Sequence, residues 1–133
     1  MVGVDTNVLV RYFADDDAAQ SAQARTLLER QLTRDAPGYV CATTLAEFAW
    51  VLRRVYGGAR AEIAEALLGV LTASNLVVEH KAQAWQALAE FRAGPAGFSD
   101  CLIGQINRAA GCEHTVTFDR QAARQAGFKL LGS

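Results

Sequence analysis

Short apolar runs alternate along this chain with longer stretches in which apolar residues recur every three or four positions. Residues 2–4 are the first run and predict a strand that ends at Asp5, Thr6 and Asn7, after which residues 8–13 begin a helical turn. Asp15, Asp16 and Asp17 offer N-caps for a helix reaching about Arg34, with Ala24, Leu27, Leu28 and Leu32 inward. Pro37-Gly38 breaks the pattern and residues 39–41 form a second strand. Leu45, Phe48, Ala49, Leu52, Val55 and Tyr56 then repeat at helical spacing until Gly57-Gly58 stops them. A further helix starts near Arg60 with Ile63, Leu67, Val70 and Leu71 on one stripe, and Leu76, Val77 and Val78 read as a strand. Residues 81–92 are helical, carrying Trp85, Leu88 and Ala89, and residues 93–97, rich in Gly and Pro, make a loop. Ser99 is the expected cap of a helix whose Leu102, Ile103, Ile106 and Ala110 face inward. Residues 115–117 form a strand leading to Asp119, a short helix ends at Gly127, and residues 129–131 close the chain as a last strand. Strands separated by helices imply an α/β fold with a central parallel sheet covered on both faces.

At 133 residues and 51% hydrophobic, residues 1–133 are expected to form a single domain with a core that needs neither disulfides nor a structural metal. The cysteines are Cys41, Cys101 and Cys112, an odd number without a Cys-x-x-Cys pair, which argues for a reducing, cytoplasmic setting and against zinc. Asp5 and the run from Asp15 to Asp17 interrupt the apolar N-terminus, so neither a signal peptide nor a bilayer span is expected. A formal net charge of −1 gives no general attraction to nucleic acid. If a cation neutralised four acids, about +3 would remain, carried by eleven arginines against two lysines.

Four acids stand out by position. Asp5 and Asp119 follow strands, Glu47 lies early in the clearest helix, and Asp100 falls in the first turn of another. In an α/β sheet such places border the ligand crevice, so acids distant in sequence are brought to one spot. Converging carboxylates repel unless a cation holds them, and hard oxygen donors suit Mg²⁺ or Mn²⁺, ions that serve reactions at phosphate. Thr6, Asn7 and Thr117 place hydroxyl and amide groups beside the acids, where they would order water and substrate oxygens. Each acid also has a structural explanation. Asp5 and Asp119 fit N-caps, Asp100 favours a helix dipole, and Thr44-x-x-Glu47 fits a capping box. His80 and His114 stand apart from any nucleophile pattern and are expected at the surface. Helical spacing assigns Phe48 and Trp85 to the core, while Trp50 lies off its helix's stripe and suits a protein interface.

Val-Asp-Thr-Asn-Val-Leu near the N-terminus, Thr-Thr-Leu-Ala-Glu, Phe-Ser-Asp-Cys-Leu-Ile and Thr-Val-Thr-Phe-Asp-Arg follow in an order that resembles the PIN domain, and most closely the toxin half of VapBC toxin–antitoxin pairs. The likeness runs the length of the chain. It implies a three-layer α/β/α sandwich around a parallel sheet and a metal-dependent endoribonuclease acting on RNA. Asp5, Glu47, Asp100 and Asp119 fall on the family's acidic quartet as catalytic metal ligands for Mg²⁺ or Mn²⁺, Asn7 and Thr117 on its polar positions, with Thr6 beside them at the substrate. The resemblance also implies a cognate antitoxin and a homodimer or higher complex with it, with no membrane partner.

Two other readings fit parts of the pattern. A haloacid-dehalogenase-like phosphatase would use Asp5 as a covalent nucleophile, but wants a second acid where Asn7 stands. A non-catalytic binding module would use the acids as caps and its apolar helices to dock a partner.

Overall fold

The computed structural model describes residues 1–132, and its contacts divide the chain into two compact units, residues 1–79 and residues 80–133. Among the described residues, six α-helices and five strands follow the alternation of the sequence, and every strand pair is parallel. No helix among the described residues is long and apolar enough to cross a membrane.

In the first unit, β1 (Val2–Gly3), β2 (Gly38–Val40) and β3 (Leu76–Val78) form one sheet in that order, with Gly38 paired to both Val2 and Leu76. Gly38 belongs to the strand and is not a break. A Cβ there would lie 2.8 Å from both Leu32 Cδ1 and Val4 Cγ2, so the absent side chain lets the layer beside β2 close. Helices α1 (Thr6–Ala14), α2 (Ala18–Thr26), α3 (Ala42–Arg54) and α4 (Arg60–Thr72) complete the unit. Asp17 caps α2 by accepting from Gln20 N at 3.0 Å, as the acidic run predicts. The helix continues as a π turn over Leu27–Gln31 and stops there, short of Arg34. Asn75 Nδ2 donates to Leu28 O and Leu32 O, supplying partners for carbonyls that the end of a helix leaves open. Leu45, Phe48, Leu52, Leu67 and Leu71 are buried as the helical spacing requires, and Phe13 packs on Phe48 with ring centroids 5.4 Å apart. Val55 is exposed, because α3 ends at Arg54 and the stripe ends with it.

In the second unit, α5 (Lys81–Ala93) and α6 (Phe98–Ala109) accompany a two-stranded parallel sheet of β4 (Thr115–Thr117) and β5 (Phe128–Leu130). Gly97 and not Ser99 occupies the N-cap of α6. The buried face of α6 is Phe98, Cys101, Leu102 and Gln105, so its stripe is rotated from the expected one and Ile103 and Ala110 point outward. Gln105 is tolerated inside because its Nε2 donates to Glu90 Oε1 at 2.8 Å. On α5, Ala84, Ala87, Leu88 and Phe91 are buried, whereas Trp85 is 39% exposed and Ala89 is outside, contrary to the core role that spacing gave Trp85. Phe91 and Phe98 meet edge to face at 6.2 Å. The end of α6 is tied to β4 by Asn107 Nδ2, which donates to Thr115 Oγ1 at 3.0 Å.

Candidate functional site

The acids fall two to each unit. In the first, the extended backbone at Asp5 (φ −83°, ψ 161°) ends β1 and starts α1, and Asp5 Oδ1 accepts from Thr6 N at 2.8 Å. The N-cap expected of Asp5 is therefore real, and the bond occupies only one carboxylate oxygen. The same Thr6 reaches across to α3, its Oγ1 donating to Glu47 Oε1 at 3.4 Å. Thr6 thus joins Asp5 to Glu47, which lies 41 positions beyond Thr6, into one polar edge beside the end of β1. Asn7 is exposed on the first turn of α1.

The capping box proposed for Glu47 does not form. The N-cap of α3 is Cys41, which places Thr44 inside the helix, where its hydroxyl meets the Cys41 sulfur at 3.4 Å. That bond holds the Cys41 thiol below its usual range. The start of α3 is closed instead by Glu79, just past β3, whose Oε1 accepts from Ala42 N at 2.8 Å. Sequence spacing cannot reveal a cap 37 residues away. Glu47 is released from a local role and stands exposed at the Thr6 contact.

In the second unit, Asp100 lies half-buried in the first turn of α6. Burial raises its carboxyl above the ordinary range, and the charge of Asp119 raises it further. Asp119 follows β4 in a tight turn. Its N–H donates to Thr117 Oγ1 at 3.0 Å, and its Oδ1 accepts from Gln121 N at 2.8 Å and Ala122 N at 3.1 Å. The N-cap of the short helix that follows is Gln121, so Asp119 is not that cap; it holds the turn leading into the helix and is the negative neighbour of Asp100 as well. Thr117 orients the backbone that carries Asp119.

Between Thr117 and Asp119 stands Phe118, 78% exposed. Helical spacing says nothing about such a residue. The available signal was its position at the end of a strand between two candidate site residues. His80 and His114 are both exposed, as expected, with His80 at the start of α5 in the left-handed region (φ 53°).

The sequence model of the PIN domain matches residues 2–128. The chain belongs to the PIN domain family. Search of the curated proteins finds no match. PIN domains are a superfamily of metal-dependent nucleases acting on nucleic acid, which sets the haloacid-dehalogenase-like alternative aside. The parallel strands and helices of this chain are those of the PIN α/β/α class. The donors also fit the family's divalent metals in kind. Asp5, Glu47, Asp100 and Asp119 offer only carboxylate oxygens, the hard ligands that Mg²⁺ and Mn²⁺ prefer. Among the described residues no three His, Cys, Asp or Glu side chains gather as a metal group.

Proposed function

We propose that this PIN domain, residues 1–133, is a metal-dependent endoribonuclease in which Asp5, Glu47, Asp100 and Asp119 are the metal-ligating catalytic acids, and that it is the cytoplasmic toxin of a VapBC-like toxin–antitoxin pair. The observation that carries the nuclease reading is the family match over residues 2–128, with all four acids inside it. Coupling of Asp100 to Asp119 and the Thr6 bridge between Asp5 and Glu47 support it.

A bound Mg²⁺ or Mn²⁺ would supply Lewis acidity for phosphodiester hydrolysis and lower the pKa of a water. The residues have separable tasks. Asp5 and Asp100 would be the principal ligands, with Glu47 and Asp119 contributing directly or through water. Thr6 positions Glu47, Thr117 positions Asp119, and Asn7 offers an amide to a phosphate oxygen. No side-chain nucleophile is required, because water attacks in line with the departing oxygen.

The toxin assignment rests on the resemblance of the motifs, and Trp50, 55% exposed on α3, suits an apolar contact with an antitoxin or with a second copy in a homodimer or larger complex. Cleavage of single-stranded RNA by the purified chain in Mg²⁺, abolished by EDTA and by Asp5→Asn or Asp100→Asn in folded protein, tests the nuclease. Wild-type rates in either variant would overturn the site assignment. Growth arrest on expression alone, relieved by a cognate small protein, tests the toxin, and unimpeded growth despite active nuclease would overturn that part.

A further inference from the structure

Parallel strands are ordinarily covered on both faces, yet one face of the β4–β5 sheet is bare. Val116 and Lys129 are register partners and therefore point to the same side, where both are exposed. One residue beyond each strand, Phe118 and Leu131 are exposed as well, Phe118 by 78%. The opposite face carries Thr115, Thr117, Phe128 and Leu130, all partly covered, so the two sides differ in kind.

The backbone under Phe118 is held on both sides. Thr117 O accepts from Leu131 N at 2.7 Å, and the next residue, Asp119, is locked by its own N–H to Thr117 Oγ1 and by its carboxylate on Gln121 N and Ala122 N. The ring is thus presented on a rigid turn, directly beside an acid coupled to Asp100. Lys129 lies on the same sheet face, opposite Val116, and Arg120 follows two residues after Phe118; neither forms an ion pair among the described residues. An exposed aromatic ring with two unpaired cations nearby in the chain and sheet matches one occupant better than a protein surface does: an unstacked base with its phosphates.

We propose that Phe118 is a stacking platform for a base of single-stranded RNA, with Arg120 and Lys129 contacting the adjoining phosphates. This rests on the nuclease reading above and adds to it a residue that holds a substrate base. A duplex keeps its bases stacked inside and offers the ring nothing to cover.

The test uses the full chain with Asp100→Asn to prevent cleavage, and a short single-stranded oligoribonucleotide carrying 2-aminopurine. Binding should change the probe's fluorescence. Adding Phe118→Ala should remove that change and weaken binding about tenfold, while Phe118→Tyr should retain both. A blunt RNA duplex of the same length should bind weakly and show no dependence on residue 118. In the cleaving chain, Phe118→Ala should raise KM for the single strand about tenfold, as base–aromatic stacking predicts. Lys129→Gln should weaken single-strand binding and reduce its salt dependence. Active wild type whose Kd and KM ignore Phe118→Ala would overturn the platform and leave the nuclease standing. Wild type that neither binds nor cuts RNA would overturn both. Unchanged RNA binding with loss of self-association in Phe118→Ala would assign the face to a second copy and overturn the platform.

Discussion

Gly104 in the middle of α6 links the packing of the second unit to its acids. A Cβ there would sit 2.6 Å from Phe128 Cε2, closer than real Cβ atoms approach, and 3.2 Å from Phe128 Cζ, a tight contact. Phe128 cannot retreat freely, since its backbone is in register with Thr115 in the parallel pair. Gly104→Ala therefore sets two effects against each other. Alanine gains about 1 kcal/mol of helix propensity over glycine, whereas forcing a methyl group into a filled contact costs about 1–3 kcal/mol. Because the ring can tilt somewhat, the net loss should be about 1 kcal/mol, equivalent to a Tm lowered by roughly 4 °C at this chain length. Activity should fall as well, because α6 carries Asp100 and β4 leads to Asp119, and moving Phe128 changes the spacing of that pair. Melts and RNA-cleavage rates of Gly104→Ala, Phe128→Leu and the double variant form the assay. The smaller leucine should absorb the new methyl, so the double variant should be more stable than the two single effects added together. A rise in Tm for Gly104→Ala, with additive behaviour in the double variant, would refute the close contact.

Asp100→Asn tests the strain at the acid pair without using activity. Its folded pKa is raised, so the stability linked to its protonation is complete below about pH 3.8 and lost as pH climbs through the folded value, leaving a cost at neutral pH. The variant should match or exceed wild-type Tm in EDTA at pH 7, while millimolar Mg²⁺ should stabilise wild type and the variant much less. A loss of about 0.3–1 kcal/mol with no Mg²⁺ response in either protein would instead make Asp100 a helix-dipole residue. Glu47→Gln should melt within about 0.5 kcal/mol of wild type, as an exposed substitution does, yet cleave RNA more slowly, and a folding defect would restore the local capping role. Asp16 accepts from Tyr56 OH at 2.6 Å and from Arg11 Nη1 at 2.9 Å, and the Tyr56 bond chiefly holds its carboxyl below the ordinary range. Its contribution is present above about pH 3.8 and lost as pH falls through the lowered value, so Asp16→Asn should flatten the acid side of a urea-midpoint profile.

Much of this protein is written in local pattern. Apolar triplets separated by 3.6-residue periodicity dictate short strands between helices. Asp17 at the start of α2 and Asp5 at the end of β1 act as caps because a short acceptor reaches the next backbone N–H groups whatever lies farther away. The stripe of Leu45, Phe48, Ala49 and Leu52 is strong enough that its burial follows from spacing alone. The four acids were likewise visible, because strand ends and helix starts are local events.

What depended on tertiary structure was everything set by a distant neighbour. A helical stripe has a width but no fixed edge, so only the elements lying against α5 and α6 decided that Trp85 and Ile103 face out and Gln105 faces in toward Glu90. Strand pairing is a long-range choice, and it joined β1, β2 and β3 in one sheet and β4 with β5 in another. Thr44 and Glu47 satisfy the spacing of a capping box, yet Glu79 closes α3 and leaves Glu47 to Thr6. The shifted carboxyl of Asp100 needs burial and a second charge, neither of which is a property of the residues beside it in the chain. The bare face around Phe118 arises in the same way, because exposure is decided by what fails to cover a residue, and sequence records only what the residue is.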